Sequence, residues 1–104
     1  MRDTQTQVAE IVTFRLIDGA SRADFLSAAK GMEPFLKGTG AMIRRTLCEA
    51  DDGTWTDHII WTDMQSAKTA AQDIMQRPEA GPFMALIAPD DVQMRHAIIH
   101  LQQE

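Results

Sequence analysis

The chain has 104 residues, 44% of them hydrophobic and 24% charged, which is typical of one globular domain, here residues 1–104. Its formal net charge of −5 argues against a surface that neutralises phosphates, so we expect no nucleic-acid partner. No apolar run approaches the ~20 residues that span a bilayer, and the N-terminal residues are polar. Cys48 is the only cysteine, so no intrachain disulfide can form, and we expect a cytoplasmic protein with no membrane partner.

The first half of the chain has the pattern of a strand, a helix and a second strand. Val8–Ile17 is rich in β-branched residues and apolar on both parities, which predicts a strand covered on both faces. Ser21 is a suitable N-cap for a helix predicted over Ala23–Leu36, and Pro34 is expected to end or bend its last turn. Ala41–Glu49 is the second predicted strand.

The second half of the chain repeats this order. Thr62 or Asp63 is predicted to cap a helix whose alanine-rich stripe favours close packing on a sheet, and Pro78 ends that helix. The predicted elements are strand Thr54–Thr62, helix Met64–Arg77, a helical turn at Phe83–Ile87 and strand Val92–Leu101. Two such units predict an α+β protein with a ferredoxin-like βαββαβ fold, in which a four-stranded antiparallel sheet carries both helices on one face.

The hairpin between the second and third strands leaves their register open. Asp52-Gly53 suits a two-residue type I′ turn, whereas Asp51-Asp52-Gly53 suits a three-residue loop with Gly53 in the left-handed region. The two loops differ by one residue in register, which changes the face of every side chain. One of Arg44 and Arg45 must share a face with Asp57, and a cross-strand ion pair is the simplest interpretation of these charges.

Helices on one face of the sheet can bury only that face. Because each predicted strand is apolar on both parities, the second face would expose a large apolar patch in a monomer. Packing this face against a second copy removes the patch, so we expect a homodimer.

Three segments resemble the dimeric α+β barrel superfamily, and within it the antibiotic-biosynthesis-monooxygenase-like branch. His58–Ala67 is similar to the family's third strand, which ends in Trp and leads into a capped helix, and Glu10–Leu16 is similar to its opening strand. A short segment with Pro78, Pro82 and Phe83 precedes the last strand, as in the family. The resemblance covers most of the chain and implies a dimeric barrel.

The family includes cofactor-independent oxygenases, heme-degrading enzymes and many proteins of unknown activity. Many members have a His nine or ten residues after the strand-ending Trp, where this sequence has Ala70 and Ala71. This departure argues against a heme ligand, so we expect no cofactor. The three histidines are also scattered, with His96 and His100 ~13 Å apart along one strand, and we expect no metal site.

The candidate substrate-binding residues are Trp61, Asp57, Glu10 and Phe14. On the third strand, Trp55, Asp57 and Trp61 share a parity, and indole rings beside a carboxylate are suited to binding a flat organic molecule. The alternative is structural, with Trp61 in the core under a helix and Trp55 covering the hairpin end.

His96 is the candidate catalytic residue. It lies in the middle of the last strand among apolar residues of the same parity, which suits either a general base or a hydrogen-bonded structural histidine. In the βαββαβ order the first and fourth strands are neighbours, so Glu10 is expected to face His96. Such a carboxylate would raise the pKa of His96 while burial would lower it.

These features, with the resemblance, predict a small-molecule-binding dimeric barrel protein acting on a small apolar or aromatic compound. The resemblance implies cofactor-independent monooxygenase-like chemistry, in which His96 would deprotonate the substrate beside O₂, or isomerase-like chemistry. The alternative is a non-catalytic ligand-binding or regulatory ferredoxin-like module. An RNA-recognition module shares the element order, but Asp57 on a central strand has the wrong charge for that role.

Overall fold

A computed structural model describes residues 6–103. The elements follow the predicted order, with the helical segments more divided than the sequence pattern indicated. They are β1 Val8–Phe14, α1 Arg22–Lys30, α2 Glu33–Gly38, β2 Met42–Glu49, β3 Trp55–Trp61, α3 Met64–Asp73, α4 Ala80–Ala85 and β4 Gln93–Ile98, with 3₁₀ turns at Ile74–Gln76 and Pro89–Asp91.

The four strands form one antiparallel sheet in the order β2-β3-β1-β4. Alternate residues of the central strands, Val8 to Phe14 on β1 and Trp55 to Trp61 on β3, turn toward the helices and are mostly buried. This arrangement confirms the predicted ferredoxin-like α+β fold, with helices on one face of the sheet.

The β2–β3 hairpin has the three-residue loop. Ala50 and Thr54 close it through a backbone hydrogen bond of 2.8 Å, and Gly53 has φ +88°. Gly53 thus takes the left-handed conformation of the three-residue loop, whereas a type I′ turn would also need a positive φ at Asp52, and no residue other than glycine has one within residues 6–103. The resulting register turns Arg45 toward the helices together with Asp57, and turns Arg44 to the opposite face.

The single helix predicted over Ala23–Leu36 is wrong: α1 and α2 are separate helices. Ser21 caps α1 as predicted, accepting a hydrogen bond of 2.9 Å from the backbone N–H of Asp24. Pro34 lies in the first turn of α2, where backbone N–H groups have no intrahelical partner, so a residue without an N–H is tolerated there. The proline therefore starts a second helix instead of ending the first.

Three other elements were predicted to extend further than they do. The β1 strand stops at Phe14, after which Leu16 makes only an isolated bridge to Ile87. The β4 strand spans Gln93–Ile98, and α3, capped by Asp63, tightens into the 3₁₀ turn after Asp73.

Phe25 of α1 is the centre of the core between the helices and the sheet. Its side chain is 0% exposed. Its ring lies 5.6 Å from that of Phe14, 4.9 Å from that of Trp55 and 5.2 Å from that of Phe83, measured between centroids. One helix residue thereby joins β1, β3 and α4, which fixes the distance between the sheet and the short helix above it.

The opposite face of the sheet has no covering helix within residues 6–103. Register places Ile11 of β1 beside His58 of β3 and Arg95 of β4 on this face, and Ile60 beside Arg44. Ile11 and Ile60 are half-buried by their neighbours alone. The face therefore combines an apolar centre with arginines on both edge strands.

Replacing Phe25 with alanine should destabilise the fold by about 3–5 kcal/mol, because it removes a fully buried ring and leaves a cavity among three others. Leu26→Ala is the matched control. Leu26 is the next residue in the sequence and is 37% exposed, so this substitution should lower the free energy of unfolding by about 1 kcal/mol or less. Urea unfolding followed by circular dichroism measures both. Equal losses in the two variants would contradict this position of the core.

Candidate active site

A cavity of about 130 Å³ lies between the helix-covered face of the sheet and α2, α3 and α4. Its wall is almost entirely apolar, and its ionisable groups are Glu10, Arg45 and Asp57. The residues lining it are Glu10, Val12, Phe14, Met32, Phe35, Leu36, Arg45, Asp57, Ile59, Trp61, Ala70, Ala71, Ile74, Met75, Phe83, Met84, Ile87, Val92 and Met94. An apolar cavity with a few converging polar groups is the usual form of a small-molecule site.

Arg45 and Asp57 form an ion pair with two parallel hydrogen bonds at the cavity wall. Arg45 Nε donates to Asp57 Oδ1 at 2.9 Å and Nη2 donates to Oδ2 at 2.7 Å. Nη1 donates to the carbonyl of Ala29 in α1 at 2.9 Å, and the guanidinium lies 5.5 Å from the ring centroid of Phe83. The predicted cross-strand pair is therefore made by Arg45, and it connects β2, β3, α1 and α4.

Glu10 and His96 form the second polar pair. Register places them opposite each other on β1 and β4, as the topology predicted, and His96 Nε2 lies 3.0 Å from Glu10 Oε1. The two side chains are 9% and 14% exposed, Glu10 being the more buried. Glu10 lines the cavity, whereas His96 is not among the lining residues and lies behind it at the edge of the sheet.

The pKa of Glu10 is raised above its ordinary value of 4.5. Burial is the main cause, because removing the carboxylate from water disfavours its charged form. The hydrogen bond and the charge of His96 act in the opposite direction, and the negative charge of Asp57 adds to the rise. The indole N–H of Trp61 is near enough to lower the pKa of Glu10 slightly, although it makes no hydrogen bond of good geometry.

The aromatic candidates divide between cavity and core. Phe14 and Trp61, both 1% exposed, line the cavity, and Trp61 Nε1 is a buried donor without a hydrogen-bond partner among the described residues. Trp55 is in the core, with its ring against Phe25. Trp61 thus combines the two roles proposed from the sequence, since it is a buried residue whose ring also forms part of the cavity wall.

Sequence reasoning missed the rim of the cavity. The exposed apolar side chains of Met75, Met84, Val92 and Met94 lie at its mouth, with exposed fractions of 71%, 44%, 40% and 52%. They come from three separate segments, so no periodic signal connects them in the sequence. Exposed methionines are frequent at binding surfaces because the flexible thioether side chain adapts its shape to a ligand, so these methionines could have indicated the rim.

Ala70 and Ala71 of α3 both line the cavity. Neither provides a nitrogen ligand, and a cavity of about 130 Å³ is far too small for a porphyrin, so the residues present do not fit a heme group. Within residues 6–103 no group of three His, Cys, Asp or Glu side chains is placed to hold a metal ion. No helix in the same part of the chain is long and apolar enough to span a bilayer.

Several solved structures share this fold. SnoaB, a cofactor-independent oxygenase from Streptomyces nogalater, is 19% identical, and the match covers 95% of this chain and 96% of that chain with a TM-score of 0.65. A candidate antibiotic biosynthesis monooxygenase from Bordetella bronchiseptica is 16% identical over 93% of this chain and 100% of that chain, with a TM-score of 0.78. A dimeric ferredoxin-like protein from an uncultured marine organism is 6% identical over 96% and 93% of the two chains, with a TM-score of 0.65.

No protein-family model and no curated protein matches the sequence. At identities of 19% and below, the similarity to the solved structures is one of fold. The chain has the fold of antibiotic-biosynthesis-monooxygenase-like and dimeric ferredoxin-like proteins, which confirms the resemblance seen in the sequence.

Glu10→Gln should gain stability relative to the native chain as the pH rises from about 4 to about 8. The folded-state pKa of Glu10 lies above that of the unfolded chain, so its stabilising contribution is complete below the unfolded value and is lost as the pH rises through the folded value. Glutamine keeps the shape and a hydrogen-bonding group for His96 but does not titrate. The measurement is the free energy of unfolding in urea across this pH range.

Glu33→Gln serves as the control, since it removes the same charge from an exposed position in α2, where Glu33 makes only a surface ion pair with Lys37. A stability difference for Glu10→Gln that stays constant with pH, or that falls as the pH rises, would contradict the raised pKa.

Proposed function

We propose that this protein binds a small apolar or aromatic molecule in the cavity and acts on it as a cofactor-independent monooxygenase-like enzyme. The observation that carries the proposal is the Glu10–His96 pair, a carboxylate and an imidazole 3.0 Å apart, of which Glu10 lines a largely apolar cavity. Paired titratable groups next to an apolar cavity are a common arrangement for proton transfer. The fold of SnoaB, a cofactor-independent oxygenase, is consistent with this chemistry.

Each residue predicted from the sequence has a part in this proposal. Phe14 and Trp61 hold the ring of the ligand, and Trp61 Nε1 donates to its oxygen. Asp57, fixed by Arg45, forms the polar side of the cavity. Glu10 lines the cavity and receives the substrate's proton. His96 then accepts that proton through its hydrogen bond to Glu10, so it acts as the base without contacting the substrate.

The reaction balances with O₂ as the only co-reactant. A methylene carbon between activating groups loses a proton to the Glu10–His96 pair, and the carbanion reduces O₂ to form a C–O bond. The resulting peroxide takes the proton back and loses water, so CH₂ and O₂ become C=O and H₂O. The protein's contribution is to remove the proton, hold the anion with the Trp61 N–H and exclude water.

A non-catalytic ligand-binding module is the second candidate, and one observation favours it. His96 does not line the cavity, so a substrate would contact the base only through Glu10. If Glu10 and His96 served only to satisfy each other, the same cavity would bind a ligand without changing it.

The two candidates separate in a turnover experiment with His96→Gln. Phenols and active-methylene compounds are first screened for binding by thermal shift, and the binders are then assayed for O₂ consumption. In the enzyme, His96→Gln and Glu10→Gln should each lower kcat by about 100-fold or more, because neither glutamine accepts a proton near neutral pH. His100→Gln is the control on the exposed segment after β4 and should leave kcat unchanged.

Turnover of a bound compound at the native rate by His96→Gln would rule out the proton-transfer role. Binding without O₂ consumption by any compound would favour the binding module.

We also propose that residues 1–104 form a single domain that associates through the uncovered face of the sheet as a homodimer. The apolar centre of this face, around Ile11 and Ile60, supports the proposal, as does the dimeric ferredoxin-like protein of the same fold. We expect no nucleic-acid partner, since Trp55, Trp61 and Phe14 lie on the helix-covered face and leave no aromatic platform on the open one. Asp57 also faces the helices, so the charge argument made from the sequence does not apply to the open face.

Light scattering at micromolar concentration should give about twice the chain mass of 11.6 kDa. Ile11→Arg places a charge at the centre of the proposed interface and should shift the protein to the monomer by weakening association at least tenfold. Leu26→Arg is the control on the outer side of α1. A folded native chain that stays monomeric, or a dimer unaffected by Ile11→Arg, would refute this interface.

A further inference from the structure

The cavity has a larger neighbour. A groove of about 570 Å³, here called the outer groove, lies next to the cavity between α1, α2 and the edge strand β2. Within residues 6–103, Leu36 of α2 and Arg45 of β2 are the only residues that line both the inner cavity and this outer groove. These two side chains, here called the partition, separate the small inner cavity from the larger outer groove.

The two members of the partition differ in how firmly they are held. Arg45 is fixed by three hydrogen bonds, to both oxygens of Asp57 and to the carbonyl of Ala29. Leu36 is 3% exposed and is held by packing alone. Because the guanidinium cannot move without leaving Asp57 unpaired in the interior, Leu36 is the only part of the partition that a substitution can remove cleanly.

The volume of the inner cavity limits the size of the ligand that it can hold. Sites for drug-sized ligands have about 300–1,000 Å³, whereas an engineered apolar cavity of about 150 Å³ holds one benzene molecule. The cavity here has about 130 Å³. It therefore matches one six-membered ring, and a fused second ring would have to displace the partition or the methionines of the rim.

We propose that the partition of Leu36 and Arg45 is the specificity-determining wall of the site and restricts the buried part of the ligand to a single ring with an oxygen substituent. An oxygen substituent can accept a hydrogen bond from Trp61 Nε1, a buried donor that has no hydrogen-bond partner of good geometry among the described residues. This inference rests on the proposed function, since it names the class of compound that the same cavity binds.

The test is a pair of probes, phenol and 1-naphthol, titrated into ¹⁵N-labelled protein and followed by NMR, which reports both Kd and the position of binding. The native chain should bind phenol with shifts at Phe14 and Trp61, and should bind 1-naphthol at least about tenfold more weakly despite its larger apolar surface. Leu36→Ala joins the two spaces, so it should bind 1-naphthol at least about tenfold more tightly than the native chain does while binding phenol no better.

Two further variants keep the test decisive if Leu36→Ala does not fold. Leu36→Val should move the preference toward 1-naphthol in the same direction by a smaller factor. Ala71→Leu fills the cavity from α3 and should weaken phenol binding at least about tenfold. Val8→Ala is the matched control: Val8 is 1% exposed and lines neither space, so this variant should keep the native preference.

The outcomes separate the wall from the function. If the native chain binds 1-naphthol as tightly as phenol at Phe14 and Trp61, or if Leu36→Ala leaves the preference unchanged, the partition does not set the ligand size and the proposed function stands. Shifts confined to Leu26 and Ile43 in the outer groove would equally overturn the proposal. If neither probe, nor any compound of the thermal-shift screen, binds any variant, the proposed function falls together with it.

Discussion

Arg45 and Asp57 make an ion pair in the layer where the sheet meets the helices, and both residues line the cavity. Asp57 is 6% exposed, so its carboxylate has lost most of its water and needs the two hydrogen bonds from Arg45. The third bond of the guanidinium reaches Ala29 near the end of α1, and its flat face lies against Phe83 of α4. Removing either charge would leave the other buried and unpaired, which typically costs about 3–5 kcal/mol.

This constraint explains why a polar group lies at the wall of an apolar cavity. Arg45 is bonded to Asp57 and Ala29, and among the described residues no other lysine or arginine lines the cavity. An anionic ligand would therefore meet two carboxyl groups and no free cation. Burial and the charge of Asp57 both raise the pKa of Glu10, so the site disfavours additional negative charge still more. The cavity is therefore suited to a ligand that enters uncharged.

The sequence predicts much of this because strands carry local signals. The alternation of Trp55, Asp57, Ile59 and Trp61 defines the buried face of β3, and the βαββαβ order is enough to place Glu10 opposite His96. Both inferences need only strand parity and strand order, which short-range pattern provides. The break between α1 and α2 was missed because Pro34 is compatible with both the end of one helix and the start of the next.

The partners of Asp57 and the limits of the cavity depend on information that pattern does not contain. Choosing Arg45 over Arg44 required the loop conformation at Gly53, since a one-residue change in the hairpin exchanges the two arginines between faces. The partition required the three-dimensional distance between α2 and β2, which no local signal in the sequence encodes. The length of this loop thus sets which arginine faces the helices, and that arginine lines both the cavity and the outer groove. The chemistry of the site is therefore coupled to a turn at the far end of two strands, outside the cavity itself.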